Sequence, residues 1–290
     1  FRIHLVRSLP VSGPLEVAYP FESVGLAVEA MATRFELLLP LEGDGLRAEA
    51  VRAAGEAAIA EICAAEECLS VYRRGSDLAR VNARAAQEPV RVAPAVFELL
   101  GRARDWSDRT GQTFDPTVGP LVQLWRTPLS DEQVQREAIA RAQAAVGWRH
   151  VVLDPESLTV RFLRSGVALD LGSLGKGWAL DRAGECLREA GITRALLHGG
   201  TSTVVALGAP PGGDFWRIEL GSPRDGGGKE LSGGDPSFPP VVVELREESL
   251  SVSATWGRMH QDASGRVHGH VLDPRTGEPV DGTRRAAIAG

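Results

Sequence analysis

Apolar positions along this chain repeat at two periods. From Leu46 to Leu69 a stretch rich in Ala, Glu and Arg sets Val51, Ile59, Ile62 and Leu69 at helical intervals, which predicts an amphipathic helix. A second helix is predicted from about Pro94, a favoured first-turn residue, to Thr110, with Gly111 as its stop. A third begins after Ser130, a candidate N-cap, and ends near Gly147. A fourth runs from about Lys176 to Ala190 and is closed by Gly191. The other apolar runs are short and β-rich. Val151–Leu153 and Thr159–Phe162 flank Asp154-Pro155 and read as a hairpin. Met31 to Phe35 opens a strand. Val167–Leu169, Arg194–Leu197, Thr203–Leu207, Trp216–Leu220, Val241–Leu245 and Ser249–Val252 are further strand candidates. Hairpins interspersed with helices point to antiparallel or mixed sheets rather than a pure βαβ series. Between Gly221 and Pro240 lie six glycines and four prolines, which predicts a flexible insertion at about 221–240.

Composition narrows the class. With 43% apolar and 24% charged residues, the 290-residue chain is ordinary globular protein, long enough to bury a core. A formal charge of −6 leaves no global basic field, so nucleic acid is not an expected partner. No apolar run reaches ~18 residues, so no transmembrane segment is expected. Cys63, Cys68 and Cys186 have no metal spacing. Cys63 and Cys68 stand about 140° apart on their helix and read as apolar fillers. The chain opens on Phe1 rather than Met, so the expectation is a lost or processed N-terminus, which leaves a preceding signal peptide or lipid anchor open. Of 32 basic residues only Lys176 and Lys229 are lysine, an arginine bias that reads as compositional. Lys229 sits in the glycine–proline stretch and reads as solvated. Lys176 sits in a glycine-flanked turn.

That turn, Asp170-Leu171-Gly172-Ser173-Leu174-Gly175-Lys176-Gly177, lies between an apolar run and a helix. Free N–H groups at a helix start favour anions, and glycines let a ligand approach. A Walker A loop would need glycine at 170 and Ser or Thr at 177, and a Rossmann fingerprint a different glycine spacing, so neither is present. Residue types alone leave two readings, an anion-binding turn and a tight strand–turn–helix with an exposed lysine. In Phe114-Asp115-Pro116-Thr117-Val118-Gly119-Pro120-Leu121, two prolines and a glycine fix an irregular backbone that can present polar groups. In His268-Gly269-His270-Val271-Leu272-Asp273-Pro274-Arg275-Thr276-Gly277, the last five residues are a turn signature. Histidines two apart on a strand point the same way, as a metal would need, yet no third ligand of the right type stands near. A single histidine acting as acid or base is the other reading.

Taken in order, these segments resemble the ApbE family of FAD:protein FMN transferases. Met31 to Phe35 is similar to the family's M-G-T-x-F. Leu69 to Tyr72, then Ser76, Leu78 and Asn82, resemble L-S-x-Y…S-x-L…N. Phe114 to Leu121 with Trp125 resembles F-D-P-T-V-G-P-L…W. Asp170 to Gly177 resembles D-L-G-x-x-x-K-G, and His270 to Val280 resembles H-x-x-D-P-x-T-G-x-P-V. The resemblance runs from Met31 to Val280. It implies an α+β, ApbE-like fold with mixed β-sheets, packed helices and a duplicated β-α-β core. It also implies an N-terminal extension over 1–25 and one domain over 26–290.

The activity it implies is Mg²⁺-dependent transfer of FMN from FAD to a Thr or Ser hydroxyl of an acceptor flavoprotein, with release of AMP. Carried over residue by residue, Met31, Tyr72, Thr117, Val118, Gly119, Asp170, Lys176 and Val271 would line the FAD site. Tyr72 would stack on a ring system, and Lys176 would sit near the phosphates or the ribose. Ser173 would contribute to the metal, and His270 would take the proton of the acceptor hydroxyl. The family's remaining metal ligands lie downstream of the D-P-x-T-G turn, in a segment these residues do not include, which leaves two readings, a chain that continues past Gly290 and a protein without the usual metal site. Two further departures stand out. The family's G-G-D or G-G-N is Gly199-Gly200-Thr201 here, and its S-T-S-G is Ser253-Ala254-Thr255-Trp256-Gly257. Two other readings share the fold, a non-catalytic FAD-binding protein and an FAD pyrophosphatase. By the same resemblance the expected setting is bacterial, periplasmic or a membrane-anchored lipoprotein.

Overall fold

Alternating apolar positions near the start of the described chain form strands β1 (Ser23–Ala30) and β2 (Thr33–Pro40). They are an antiparallel pair in register from Ser23↔Pro40 to Ala30↔Thr33. The computed structural model describes residues 21–126, 131–220, 241–254, 259–262, 264–265, 267–280 and 285–290. The remaining elements in chain order begin with α1 (Ala48–Leu69), α2 (Asp77–Arg84), β3 (Val90–Arg91), α3 (Pro94–Arg109), α4 (Gly119–Trp125) and α5 (Glu132–Gln143). A 3-10 turn at Trp148–His150 leads into β4 (Val151–Asp154) and β5 (Thr159–Phe162). Then come α6 (Gly175–Glu189), β6 (Ala195–Gly199), β7 (Thr203–Leu207), β8 (Trp216–Leu220), β9 (Val241–Leu245) and β10 (Ser249–Ala254). The series closes with β11 (Met259–Gln261), β12 (Val267–Gly269) and β13 (Arg285–Ala289). The fold is α+β, as expected. The span read as one domain divides into two compact units. The described parts of the first fall within Phe1–Glu66, Leu174–Ser253 and Arg285–Gly290, and those of the second within Glu67–Ser173 and Ala254–Arg284.

The first unit is built on a six-stranded sheet in the order β1-β2-β6-β7-β10-β13. Period-two alternation gives it two apolar faces. Phe35, Leu37 and Leu39 of β2, Leu197 of β6 and Val205 and Leu207 of β7 face a core shared with Ile59 and Ile62 of α1 and Leu180, Ala183 and Leu187 of α6. The intervening Leu196, Val204 and Ala206 join Leu250 and the apolar side of the β8–β9 hairpin in a second core. Its largest member, Trp216, is fully buried, and its indole N–H donates to the Leu207 carbonyl at 3.1 Å. The insertion expected at about 221–240 links β8 to β9 and lies outside the described residues, as does Lys229.

The second unit holds α2 to α5, the three-stranded sheet β3-β5-β4 and the β11–β12 hairpin. The hairpin expected around Asp154-Pro155 is β4–β5, in register from Val151↔Phe162 to Asp154↔Thr159. Pro94 opens α3 and Gly111, at φ +59°, follows its end, as the pattern predicted. Two expectations are corrected. Ser130 lies outside the described residues, and the side chain that caps α5 is Asp131, which accepts the Val134 N–H at 2.9 Å. Val167–Leu169 is no strand. It is a buried run whose Ala168 makes a single parallel bridge to Val118, and the amide of Asn82 takes the place of a neighbouring strand at Leu169.

Candidate active site

In the second unit the candidate residues gather around α4, a helix of seven residues. Its N-terminal end is fixed first. Asp115 and Thr117 are buried, and Asp115 Oδ1 accepts both the Thr117 N–H (2.8 Å) and the Thr117 hydroxyl (2.7 Å). The same hydroxyl accepts the Gly147 N–H at 2.6 Å. Thr117 is thus bonded on both sides, and what its segment offers a ligand is backbone. Burial pushes the Asp115 carboxyl up, against the pull of its two bonds from Thr117.

The next contact joins 116–119 to 168–170. Asp170 N–H donates to the Pro116 carbonyl at 2.8 Å, beside the Val118–Ala168 bridge. A Cβ on Gly119 would stand 2.6 Å from the Ala168 carbonyl oxygen, so glycine is required for this approach. Asn82 completes the clamp, donating to the Leu169 carbonyl and accepting the Leu169 N–H, both at 2.8 Å. Thr117, Val118, Gly119 and Asp170 are therefore brought together. Asp170 Oδ1 accepts the Gly172 N–H at 2.8 Å, which bends the chain toward the exposed Ser173. Leu174 follows as the residue that precedes α6.

The C-terminal end of α4 holds the other candidates. Arg126, the residue after the helix, donates to the hydroxyl of Tyr72, with its guanidinium carbon 5.5 Å from the centre of the ring. Tyr72 is 74% exposed, so an aromatic surface is presented to solvent beside a positive charge. Trp125 donates its indole N–H to the Gly277 carbonyl at 2.8 Å. Gly277, at φ +76°, ends the Asp273–Gly277 turn, whose N–H bonds to the Asp273 carbonyl at 2.8 Å. The Asp273 carboxylate is occupied by Arg275, which holds its titration below the usual range. Val271 accepts the Val280 N–H at 2.8 Å, and His270 is exposed just after β12. The two histidines are not a same-side pair. β12 ends at Gly269, and His268 turns into the hairpin, with Nε2 2.8 Å from Asp262 Oδ2.

Met31 and Lys176 belong to the first unit. Met31 and Ala32 form the two-residue turn of the β1–β2 hairpin, both with positive φ (50° and 57°), and the Met31 N–H donates to Glu66 at 2.7 Å. The Gly199-Gly200-Thr201 turn sits beside it, since the Gly200 N–H donates to the Arg34 carbonyl at 2.8 Å. Lys176 is the second residue of α6 and is half-buried. One further pair has no signature in the sequence. Glu36 on β2 and His198 on β6 face each other across the sheet with Oε2 and Nε2 2.9 Å apart, and the histidine's hydrogen bond lowers the Glu36 carboxyl despite burial. Only the strand register, which no local pattern encodes, brings them together. Among the described residues no cluster of three or more His, Cys, Asp or Glu can hold a metal. No helix among them is long and apolar enough to cross a membrane.

The ApbE family model matches residues 31–289. The chain belongs to the ApbE family. A FAD:protein FMN transferase of Klebsiella pneumoniae (strain 342) is 32% identical over 217 residues, covering 74% of this chain and 63% of that protein. One from Treponema pallidum (strain Nichols) is 30% identical over 229 residues, covering 74% and 60%. The chain thus spans less than two thirds of the length of these curated relatives. Among solved structures, the ApbE protein of Thermotoga maritima matches with a TM-score of 0.76 at 24% identity, covering 92% of this chain and 82% of that one. The flavin transferase ApbE from Vibrio cholerae matches at 0.73 and 22% identity, covering 93% and 82%. At these identities the structures establish an ApbE fold. All ten candidate site residues lie inside the stretch that the family model matches.

Proposed function

We propose that this ApbE-family chain transfers FMN from FAD to a Thr or Ser hydroxyl of an acceptor protein and releases AMP. The family match over 31–289 carries the reading, and the gathering of Tyr72, 117–119, Asp170 and the His270 segment around α4 supports it. In the proposed step the acceptor oxygen forms a bond to the FMN phosphorus, and the bond from that phosphorus to the AMP phosphate breaks. AMP leaves with the electron pair, and the hydroxyl proton passes to His270. An exposed imidazole suits that role, because the acceptor is a macromolecule and histidine ordinarily titrates near neutrality. Tyr72 offers an exposed face to a ring system, and the backbone of 117–119 and the Asp170 carboxylate offer fixed polar groups to the nucleotide.

Magnesium is the expected cofactor, to neutralise charge on the transferring phosphoryl group. The residues described here do not by themselves fit it. Ser173 supplies one exposed hydroxyl, and Asp273 is taken up by Arg275. No step is therefore assigned to a metal.

The test is incubation with FAD, Mg²⁺ and an acceptor domain, read by acceptor mass and in-gel flavin fluorescence. The expected result is a covalent FMN adduct and AMP in equal amounts. AMP without labelling would replace transfer by hydrolysis. His270→Ala is expected to lower transfer at least ~100-fold while FAD affinity stays within about twofold, and equal loss of both would refute its assignment as base. The same reading sets the reaction outside the cytoplasmic membrane, which cell fractionation tests.

A further inference from the structure

One polar pair in the second unit is absorbed by none of the roles above. Asp262 and His268 belong to the β11–β12 hairpin, with side chains only 18% and 10% exposed. Nε2 of His268 donates to Asp262 Oδ2 at 2.8 Å. The other carboxylate oxygen accepts the Ser264 N–H (2.9 Å) and hydroxyl (2.7 Å), so Asp262 is fixed from both sides. The imidazole meets Trp125 edge-on, with ring centres 5.8 Å apart at 63°. That same indole holds the Gly277 carbonyl. One buried tryptophan therefore touches the chain at 268 and at 277, on either side of His270 and Val271. After His270 and Val271 the chain closes on itself around Gly277, through the Leu272–Pro279 bridge and the Asp273 N–H bond to the Glu278 carbonyl at 2.9 Å.

We infer that Asp262 and His268 are positioning residues for His270, an inference that rests on the transfer reading above. Nε2 of His268 and both carboxylate oxygens of Asp262 are spent inside the hairpin, which suits holding the exit of β12 rather than touching substrate. With that exit held, His270, two residues on, leaves from a fixed point. Without it, only the Gly277 end of the segment stays pinned to α4. Misplacing a catalytic group by about 1 Å costs on the order of 100-fold in rate.

The experiment compares Asp262→Asn, His268→Phe, His268→Gln and the Asp262→Asn/His268→Phe double variant in the full chain. It measures kcat and KM for FAD, and the mobility of the His270 imidazole by ¹³C relaxation in the ligand-free protein. His268→Phe keeps a ring against Trp125 and removes the bond to Asp262. It is expected to lower kcat about tenfold with KM within about twofold, and to make the His270 ring more mobile. His268→Gln, which can still donate to Asp262, is expected to lose less. The double variant is expected to be no worse than the worse single one, as for residues acting as a unit. Unchanged kcat with an unchanged His270 ring would overturn the inference. So would a loss of thermal stability with kcat per folded molecule intact, the mark of a merely structural pair. Should the wild-type chain transfer no FMN, the transfer reading fails and the relaxation measurement alone decides the positioning role.

Discussion

Asn82 offers the sharpest test of how the candidate site is held. Its amide makes two 2.8 Å bonds to the backbone of Leu169, a residue 1% exposed, and among the described residues nothing else pairs that backbone as a strand would. Asn82→Ala leaves one donor and one acceptor without partners. A buried polar group deprived of its partner costs about 1–3 kcal/mol, so the pair sums to roughly 2–6 kcal/mol. Asn82 is half-buried, and water entering the vacated space brings the expected loss to about 2–3 kcal/mol. Asn82→Asp is more diagnostic. It retains the acceptor for the Leu169 N–H but sets a carboxylate oxygen against the Leu169 carbonyl. Repulsion raises the folded pKa of that aspartate, so its contribution is retained in acid and lost as pH rises through the folded value. Protonated, it donates where Asn82 did.

The assay is urea denaturation at pH 4 and pH 8, together with amide hydrogen exchange on peptides covering 167–173, where the Leu169 N–H reports directly. Asn82→Ala should destabilise at both values and speed exchange there, and Asn82→Asp should do so chiefly at pH 8. FAD affinity should fall with the same pH dependence, because Asp170 hangs from this segment. A loss below about 0.5 kcal/mol for Asn82→Ala, or an Asn82→Asp penalty identical at both pH values, would refute the clamp.

Three further outcomes follow from single positions. Ala32 adopts φ +57° in the β1–β2 turn, which costs about 1–2 kcal/mol in an L-residue. Ala32→Gly removes that cost and adds about 0.4–1 kcal/mol of unfolded-state entropy, so a net gain of about 0.5–1 kcal/mol is expected in chemical denaturation. Gly119→Ala drives a Cβ against the Ala168 carbonyl oxygen and should cost about 1–3 kcal/mol, with FAD affinity falling alongside the denaturation midpoint. Asp115 has a raised pKa, so the wild-type carboxyl contributes more stability below its ordinary range and less as pH rises through the folded value. Asp115→Asn keeps an oxygen to accept both Thr117 bonds, and its midpoint at pH 7 should match or exceed wild type, a difference that fades in acid.

What the sequence disclosed and what it hid have physical causes. Long amphipathic segments were legible because a periodic stripe of apolar residues has one solution, and α1, α3 and α6 lie within two residues of their expected bounds. The two-residue turn at Met31-Ala32 was not, because it lacks the glycine that marks such turns and β1 went unseen. Val167–Leu169 reads as apolar and is buried, but only the three-dimensional structure discloses that a side-chain amide stands where a strand would. The candidate residues of the second unit were legible as ordered motifs, whereas their common support was not. α4 has seven residues, too few to show a period, and two of the segment's cues, Pro116 and Pro120, read as an irregular loop.

That short helix explains why motifs far apart in sequence form a set. It rises about 9 Å from end to end. One end meets Ala168 through Gly119, and the other meets Tyr72, His268 and Gly277 through Arg126 and Trp125. A helix this short moves as a rigid body, so a shift forced at Gly119 reaches Trp125 almost undiminished. Gly119→Ala should therefore mobilise the His270 ring even though residue 119 lies at the far end of the helix. A Gly119→Ala variant that loses stability while His270 keeps its wild-type relaxation would show that the two ends of α4 are held independently.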